Sequence, residues 1–364
     1  MLHAIIMAGG SGTRFWPASR ASRPKQLLRL ASDETLVAET VARLGDMTPP
    51  ERVLIITNQR LVAPIQENLP SLPAAAVIGE PCRRDTAPCI GLAAEWVRHQ
   101  DPDATMVVMP ADHVIGPPDV FQSAMQHAAD LVEEDPDRLV TFGIRPSYPA
   151  ESFGYIEVGK AMDGTVAGAR QAPQTNLVTQ FKEKPQAVVA QQYLEAGNFL
   201  WNSGIFVWKA ERILNLLQQF EPDMARHIRS IGEAIGQPDF PETLTQRFAA
   251  IRGVSIDYAV MEKASKVVVV EAPFSWDDIG SWQAMPRLRG SDQRGNTVVG
   301  KHLGIDTRNT IVSGDDDHLV VTIGLRDCLV VHTRDATLVA DRNREEEVRE
   351  VVKLLEEKDW TEYL

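Results

Sequence analysis

The sequence predicts an α/β protein built on a mostly parallel sheet, followed by a small β-rich domain. From the start to about residue 143, short apolar runs alternate with stretches of helical apolar spacing, the pattern of strand–helix–strand units. From Asn296 to Ala340, short Val/Ile/Leu runs alternate with polar turns instead. At 364 residues the chain is long enough for a large domain with an appendage, and 44% hydrophobic and 24% charged residues are ordinary for a globular protein.

In the first part the expected strands are Ala4 to Ala8, Val53 to Ile56, Ala75 to Ile78, Met106 to Met109 and Leu139 to Phe142. Helical spacing lies between them at Leu36 to Leu44, Leu61 to Leu69, Thr86 to Val97 and Phe121 to Val132. Ligands of such sheets bind outside the carboxyl ends of the strands, and Gly9, Glu80 and Asp112 each follow a strand candidate. After residue 144 the alternation loosens. Phe153-Gly154-Tyr155-Ile156 and Val178 to Lys182 read as strands flanking a turn region from Gly159 to Pro173. The aromatic run Phe199 to Trp208 reads as core, interrupted at Asn202-Ser203-Gly204. Helical patterns, with Ile213 to Leu217 and Phe248 to Ile251 apolar, extend to about Lys263, and Val267 to Val270 is a further apolar run. Near Gly290 the character changes, which sets expected domains of 1–289 and 290–364. Arg344 to Lys358 reads as a charged amphipathic helix closing the second domain.

The chemistry concentrates first in residues 4 to 28. An apolar strand runs into Gly9-Gly10-Ser11-Gly12-Thr13-Arg14, and a second cation follows at Lys25. Glycines let main-chain N–H groups approach phosphate oxygens, although GGSG alone serves equally as a tight turn. Two cations in the same segment favour a polyphosphate cradle. The dinucleotide fingerprint is excluded because Gly10-x-Gly12-x-x meets Phe15, and no P-loop spacing occurs.

Other chemistry-bearing residues follow. At Glu80 to Pro88 a strand ends and a helix opens, so Asp85 or Thr86 is expected to cap it. Asp112, carried out of a buried strand by Pro110-Ala111, reads either as a ligand for a hard cation or as a loop acid bonded to backbone. His113 reads as structural, since no second histidine stands at metal-site spacing. Glu183-Lys184, fixed by Pro185, is by itself an exposed ion pair of small energetic value. Gly154 allows a bend, and Asn202 can both donate and accept hydrogen bonds. Of the acids Asp277 and Asp278, one is expected to cap local structure; Asp315 to Asp317 read as a solvated turn.

A formal charge of −13 argues against a nucleic-acid or anionic-membrane partner, which would need a basic face. No apolar run is long enough to span a bilayer, and no leader peptide is expected. Cys82, Cys89 and Cys328 make neither a metal spacing nor an even disulfide framework, which fits a reducing cytoplasm.

The stretch GGSGTRFWPASRASRPKQLL resembles the signature of the sugar-1-phosphate nucleotidyltransferases, and its FWP and PKQ elements are most similar to the mannose-1-phosphate guanylyltransferase branch. Matching motifs recur in order at Arg84-Asp85-Thr86-Ala87-Pro88, Pro110-Ala111-Asp112-His113, Phe153 to Ile156, Glu183-Lys184-Pro185, Trp201-Asn202-Ser203-Gly204 and Phe274 to Trp282. The resemblance implies a Rossmann-like, GT-A-like catalytic fold with a left-handed β-helix-like tail, ending before any phosphomannose-isomerase domain of longer relatives. It implies GMP transfer from GTP to mannose 1-phosphate, with Mg²⁺ held by Asp112 and Asp278. The nucleotide side is implied at Ala8, Gly9, Gly10, Ser11, Gly12, Thr13, Arg14, Lys25, Glu80, Thr86, Ala87 and Asp112, and the sugar-phosphate side at Gly154, Glu183, Lys184 and Asn202. Arg14, Lys25, Asp112 and Asp278 are the expected catalytic set. Alternatives are the same transfer with another nucleotide or sugar, or a silent nucleotide-sugar sensor or assembly subunit. Exposed strand edges of a small β domain invite a partner, so a homodimer is expected.

Overall fold

A computed structural model describes residues 1–10, 12–162 and 173–364. They form two compact units, each discontinuous in sequence. Met1–Gly9, Ala42–Pro110 and Ile115–Trp276 make the first; Gly10–Val41, Ala111–Val114 and Asp277–Leu364 make the second. This partition cuts the chain differently from the sequence division at 289, because the glycine loop packs with C-terminal residues.

The first unit carries a nine-stranded sheet in the order Val77–Glu80, Val53–Asn58, Leu2–Ala8, Thr105–Pro110, Phe199–Lys209, Leu139–Ile144, Val267–Glu271, Thr175–Lys182, Tyr155–Ala161. The first four are mutually parallel. Their continuous apolar runs follow from burial on both faces, and Ile5, Ile6, Ile55, Ile56, Val107 and Val108 are all 0% exposed. The aromatic run Phe199–Lys209 enters the sheet antiparallel to Thr105–Pro110 and Leu139–Ile144, and its start also pairs antiparallel with Tyr155–Ala161. Its Phe206 and Trp208 are buried in the core, as the sequence reading expected.

Several boundaries differ from expectation, among them the strand expected from Phe153, which begins at Tyr155, and the one expected from Val178, which begins at Thr175. The third strand begins at Val77, because Ala74–Ala76 makes a 3-10 turn; alanine fits a pleated surface poorly compared with Val77 and Ile78. The second helix is Val62–Asn68, preceded by a 3-10 turn at Gln59–Leu61. Residues 159 to 161 belong to a strand, with Ala161 opposite Asn176, so the expected turn from Gly159 starts later. Residues 163–172 of that turn lie outside the described residues.

In the second unit, Thr297–Val299, Ile311–Ser313 and Cys328–His332 stack in parallel, and Thr337–Asp341 closes that sheet antiparallel. A two-stranded parallel sheet, Lys301–Ile305 with Leu319–Ile323, alternates with it along the chain. This is the coiling of a β-helix. Its corners use left-handed backbone at Asp306, Asn309 and Asp327, a conformation that Asn and Asp tolerate better than most residues. Inside, Thr307 and Thr322 hydroxyls pair at 2.6 Å and Asn296 Nδ2 donates to Thr307 O. Asp315 to Asp317 are exposed, as expected. The terminal helix is shorter than expected: Arg342–Glu347 is a 3-10 turn with a kink at Arg344, and the α-helix is Val348–Glu357. Glu345 bends away from helical duty to accept from Ser281 Oγ and Gln283 N. Phe15, Trp16, Leu28, Leu36, Trp282, Ile311, Leu329 and Val348 share one core, which ties the glycine-loop segment to the β-helix.

Candidate active site

In the second unit, Gly12 adopts φ 62°, and a Cβ there would stand 2.3 Å from Lys25 Cβ. Only glycine therefore lets the loop close over Lys25. Ser19 Oγ and Phe15 N both donate to Gly12 O, fixing the turn. Lys25 is 7% exposed, and its Nζ donates to Asp112 Oδ2 at 2.8 Å and to the Asp278 carbonyl at 2.6 Å. Three residues far apart in sequence thus meet at one ammonium.

The two acids differ in their electrostatics. Burial raises the Asp112 carboxyl, but the Lys25 charge and hydrogen bond, with His113, outweigh it and hold the pKa below the usual value. Asp278 is raised, first by burial and then by Asp277 and Asp112, with Lys25 and Arg287 opposing. Asp277 is occupied structurally: it accepts from Ile279 N at 2.9 Å and from Arg287 Nε at 2.7 Å. Asp112 and Asp278 are the two acids that meet Lys25, one through its carboxylate and one through its main-chain carbonyl. A buried acid disfavoured by a neighbouring acid is a setting that a divalent cation relieves. Among the described residues no group of three or more His, Cys, Asp or Glu forms a cage. The donor set fits Mg²⁺, which takes one or two carboxylates and completes its shell with phosphate oxygens and water.

Arg14 Nη1 donates to Gly280 O at 3.1 Å, and its Nε pairs with Glu346 Oε2 at 2.9 Å. Glu346 is a partner that the sequence reading did not anticipate. Thr13 opens the 3-10 turn Thr13–Phe15. Ser11 lies outside the described residues.

In the first unit, the strand ending at Ala8 gives its carbonyl to Thr57 Oγ1 at 2.9 Å, and Gly9 follows in the open. A Cβ on Gly9 would meet Glu80 Oε2 at 3.8 Å, so Glu80 lies beside the strand end. Nor does packing demand glycine at Gly10, the first residue of the second unit, where an added Cβ meets nothing within 4 Å. Glu80 is 7% exposed, its Oε1 is buried without a hydrogen-bond partner, and burial pushes its pKa up to about 7 despite a hydrogen bond with Cys89. Asp85 caps the next helix, accepting from Thr86 N at 2.8 Å. Thr86 Oγ1 accepts from Ile256 N at 2.8 Å, and Ala87 N donates to Val254 O while Ala87 is 0% exposed. Thr86 and Ala87 thus secure the turn from behind, and Glu80 is the group with unspent hydrogen-bonding capacity.

A second cluster in this unit joins Gly154, Glu183, Lys184 and Asn202, the residues that the resemblance implied for the sugar phosphate. A Cβ at Gly154 would lie 2.5 Å from Glu183 Oε2, so glycine here makes room for the Glu183 carboxylate. Glu183 Oε1 lies 2.9 Å from Lys184 Nζ. Burial works against the Lys184 charge, but Glu183 and then Asp257 and Tyr258 outweigh it, so the ammonium is held more firmly than usual. Asn202 Nδ2 donates to Asp257 Oδ1 at 3.0 Å, and Asn202 N donates to Gly154 O at 2.8 Å. Asp257 was missed in the sequence. Its one signal is its place at the head of Asp257–Met261, which forms a π-turn, a distortion frequent at functional sites and unreadable from apolar spacing alone.

With this geometry established, the relationships of the chain are decisive. Residues 3–293 match the model of the nucleotidyl transferase family. The chain belongs to that family. Residues 300–355 of this nucleotidyl transferase match the MannoseP isomerase/GMP-like beta-helix domain. It is 38% identical over 357 residues to the mannose-1-phosphate guanylyltransferase of Escherichia coli strain K12, covering 96% of this chain and 73% of that protein. The mannose-1-phosphate guanylyltransferase of Klebsiella pneumoniae is 36% identical over 367 residues, covering 100% of this chain and 76% of the relative. A crystal structure reported as a mannose-1-phosphate geranyltransferase from Thermus thermophilus matches with TM-score 0.85 and 31% identity, covering 98% of this chain and 99% of that one. No helix among the described residues is long and apolar enough to cross a membrane.

Proposed function

We propose that this nucleotidyl transferase moves the guanylyl group of GTP onto mannose 1-phosphate, forming GDP-mannose and pyrophosphate. The sugar follows the relatives, mannose-1-phosphate guanylyltransferases aligned over nearly the whole chain. The base is supported by one observation in the fold: Glu80 carries a buried carboxylate oxygen without a partner beside the first strand's end. Guanine offers two adjacent donors, N1–H and the 2-amino group, that a carboxylate accepts together. Adenine, uracil and thymine offer no such pair.

In this reading a phosphate oxygen of mannose 1-phosphate attacks the α-phosphorus of GTP. The new O–P bond forms as the bond to the β-phosphate oxygen breaks, and pyrophosphate leaves. The nucleophile is already an anion, so no general base is needed; alignment and charge compensation make up the catalysis. Main-chain N–H groups of Gly9, Gly10, Gly12 and Thr13, with Arg14 and Lys25, compensate the triphosphate, and Lys184 pairs with the sugar phosphate. Asp112 and Asp278 would hold Mg²⁺, which supplies charge neutralisation on the phosphates. Lys25 keeps Asp112 ionised and oriented for that role.

The reaction is assigned to the cytoplasm, with support from three cysteines that are all free thiols. A homodimer is part of the same reading. Leu303, Ile305, Leu319, Val321 and Ile323, in register on the two-stranded sheet, are 48% to 68% exposed, an apolar face suited to a second copy. Light scattering on the purified chain tests it, and a monomer at micromolar concentration rejects it.

The activity is tested by pyrophosphate release from GTP, ATP, UTP and dTTP, each with mannose 1-phosphate and with glucose 1-phosphate. Fastest release with GTP and mannose 1-phosphate is expected. Equal or faster release with another pair overturns the assignment.

A further inference from the structure

We propose that Asp257 is a positioning residue of the sugar-phosphate side, fixing Asn202 and Glu183 so that the site tells mannose 1-phosphate from its epimers. The proposal rests on the reading of Gly154, Glu183, Lys184 and Asn202 as that side, and goes beyond it by adding a residue and a task.

Local structure uses the acid only in part: its carboxyl accepts from the Ser255 side chain and from its own main-chain N–H. In the turn Asp257–Met261 the side chain of Asp257 caps no helix end, and the wide bend is closed by main chain, with Glu262 N donating to Asp257 O at 2.9 Å. Ala259, Val260 and Met261, each 2% exposed or less, anchor the turn in the core. The carboxyl is thereby held in place by its neighbours, and beyond these local bonds it reaches Asn202.

That duty is legible in its contacts. Asn202 Oδ1 accepts from Gly204 N at 3.2 Å, which fixes the orientation of the amide and leaves Nδ2 as the group facing Asp257 Oδ1 at 3.0 Å. Asn202 is also bound through its main chain to Gly154, the residue whose missing Cβ accommodates Glu183 Oε2. Asp257, Asn202, Gly154 and Glu183 are therefore one interlocked set. Moving Asp257 releases the amide of Asn202 and removes a negative neighbour from Glu183.

The electrostatics favour a carboxyl that can hold a proton. Burial, and then the Glu183 charge, push the Asp257 pKa up to about 7, with Lys184 opposing. The charged groups acting on it are Glu183 and Lys184, from the segment after Thr175–Lys182, and the Ser255 side chain hydrogen-bonds to it. A protonated carboxyl both donates and accepts, and a hexose hydroxyl requires both. Epimers differ in the direction of one hydroxyl, and a fixed polar group left without its partner rejects the wrong one strongly.

The test uses steady-state kinetics of the full chain with Asp257→Ala, Asp257→Asn and, as a control on the sugar side, Lys184→Ala. Asp257→Ala is expected to raise KM for mannose 1-phosphate about tenfold or more and to narrow the preference for mannose 1-phosphate over glucose 1-phosphate by a similar factor. KM for GTP should stay within about twofold. Asp257→Asn is nearly isosteric and keeps the acceptor for Asn202, so it remains informative if the alanine variant does not fold. It should restore most of the affinity and flatten the dependence of KM for mannose 1-phosphate on pH between about 6 and 8, where only the acid titrates. An unchanged sugar preference in a folded Asp257→Ala variant overturns the proposal, as does an equal rise in both KM values or an unaltered pH profile in Asp257→Asn. A Lys184→Ala variant with normal KM for mannose 1-phosphate overturns the sugar-side reading on which the proposal stands.

Discussion

Lys25 Nζ lies 2.8 Å from Asp112 Oδ2, a charged pair in which the lysine side chain is 8% exposed and the aspartate 32%. The pair gives Asp112 its low pKa and joins the signature loop to an acid 87 residues away. Removing the ammonium leaves Asp112 partly hydrated, so the fold survives while the ordered charge is lost. Lys25→Ala should cut turnover by about two orders of magnitude or more, the scale of losing one preorganised donor worth about 3 to 4 kcal/mol. Rapid-quench measurement of the single-turnover rate, beside a circular-dichroism melt, reads both halves. A folded variant with near-normal turnover removes Lys25 from the catalytic set.

Gly12 sharpens the same point through sterics. Gly12→Ala faces a φ of 62° and a methyl 2.3 Å from Lys25 Cβ, with Lys25 main-chain nitrogen at 2.9 Å. The backbone cannot yield without moving Lys25. We expect Gly12→Ala to lower kcat by about the same factor as Lys25→Ala, and Gly10→Ala, whose added Cβ meets open space, to leave the melting temperature unchanged. A Gly12→Ala enzyme with normal kcat shows that the loop does not hold Lys25 for the reaction.

Much of this architecture was readable in advance, for identifiable reasons. Buried parallel strands write themselves as continuous apolar runs, so Leu2–Ala8 and Thr105–Pro110 were found within two residues. Asp85 announced itself as a cap because a strand-to-helix turn needs one. Contacts across great sequence distance left no local trace. Arg14 meets Glu346 across 332 residues, and Asn202 meets Asp257 across 55. Asp278 was separated from Asp277 only by family resemblance; in the fold Asp277 accepts from Ile279 N and Arg287 Nε. Gly154 was placed on the sugar-phosphate side by family resemblance alone, and the fold adds that a Cβ there would stand 2.5 Å from Glu183 Oε2.

Asp278 tests the cation. Burial and two neighbouring acids raise its pKa, so the ionised form is costly in the folded chain. For a raised acid, stability falls as pH climbs from the unfolded value through the folded one. Asp278→Asn removes that cost and should melt no lower than the parent at pH 8. Turnover should nevertheless fall about 100-fold or more, and the Mg²⁺ concentration for half-maximal rate should rise. An unshifted Mg²⁺ titration with near-normal turnover sinks the metal assignment of Asp278.

Glu80 joins base choice to stability in one residue. Its pKa rises from 4.5 to about 7 by burial, on the order of 3 kcal/mol of differential interaction between its two protonation states. Between those two values the folded chain holds a proton that the unfolded chain has released, so stability falls as pH rises through that window. Glu80→Gln cannot ionise and loses that slope. Its melting temperature should exceed the parent's at pH 8 and match it near pH 4.5. Function should move the other way. Guanine's paired donors require an ionised acceptor, so the parent's KM for GTP should rise as pH falls below about 7. Glutamine places an amide N–H₂ where one acceptor oxygen stood and repels one guanine donor. The preference for GTP over ATP should therefore shrink at least about tenfold, the scale set by one unpaired buried polar group. Pyrophosphate release with both nucleotides from pH 6 to 8, beside thermal melts from pH 4.5 to 8, measures the two effects on the same variant. A Glu80→Gln enzyme that gains stability at pH 8 and keeps the parent's full preference for GTP would show that Glu80 is a buried acid near the strand end with no part in reading the base.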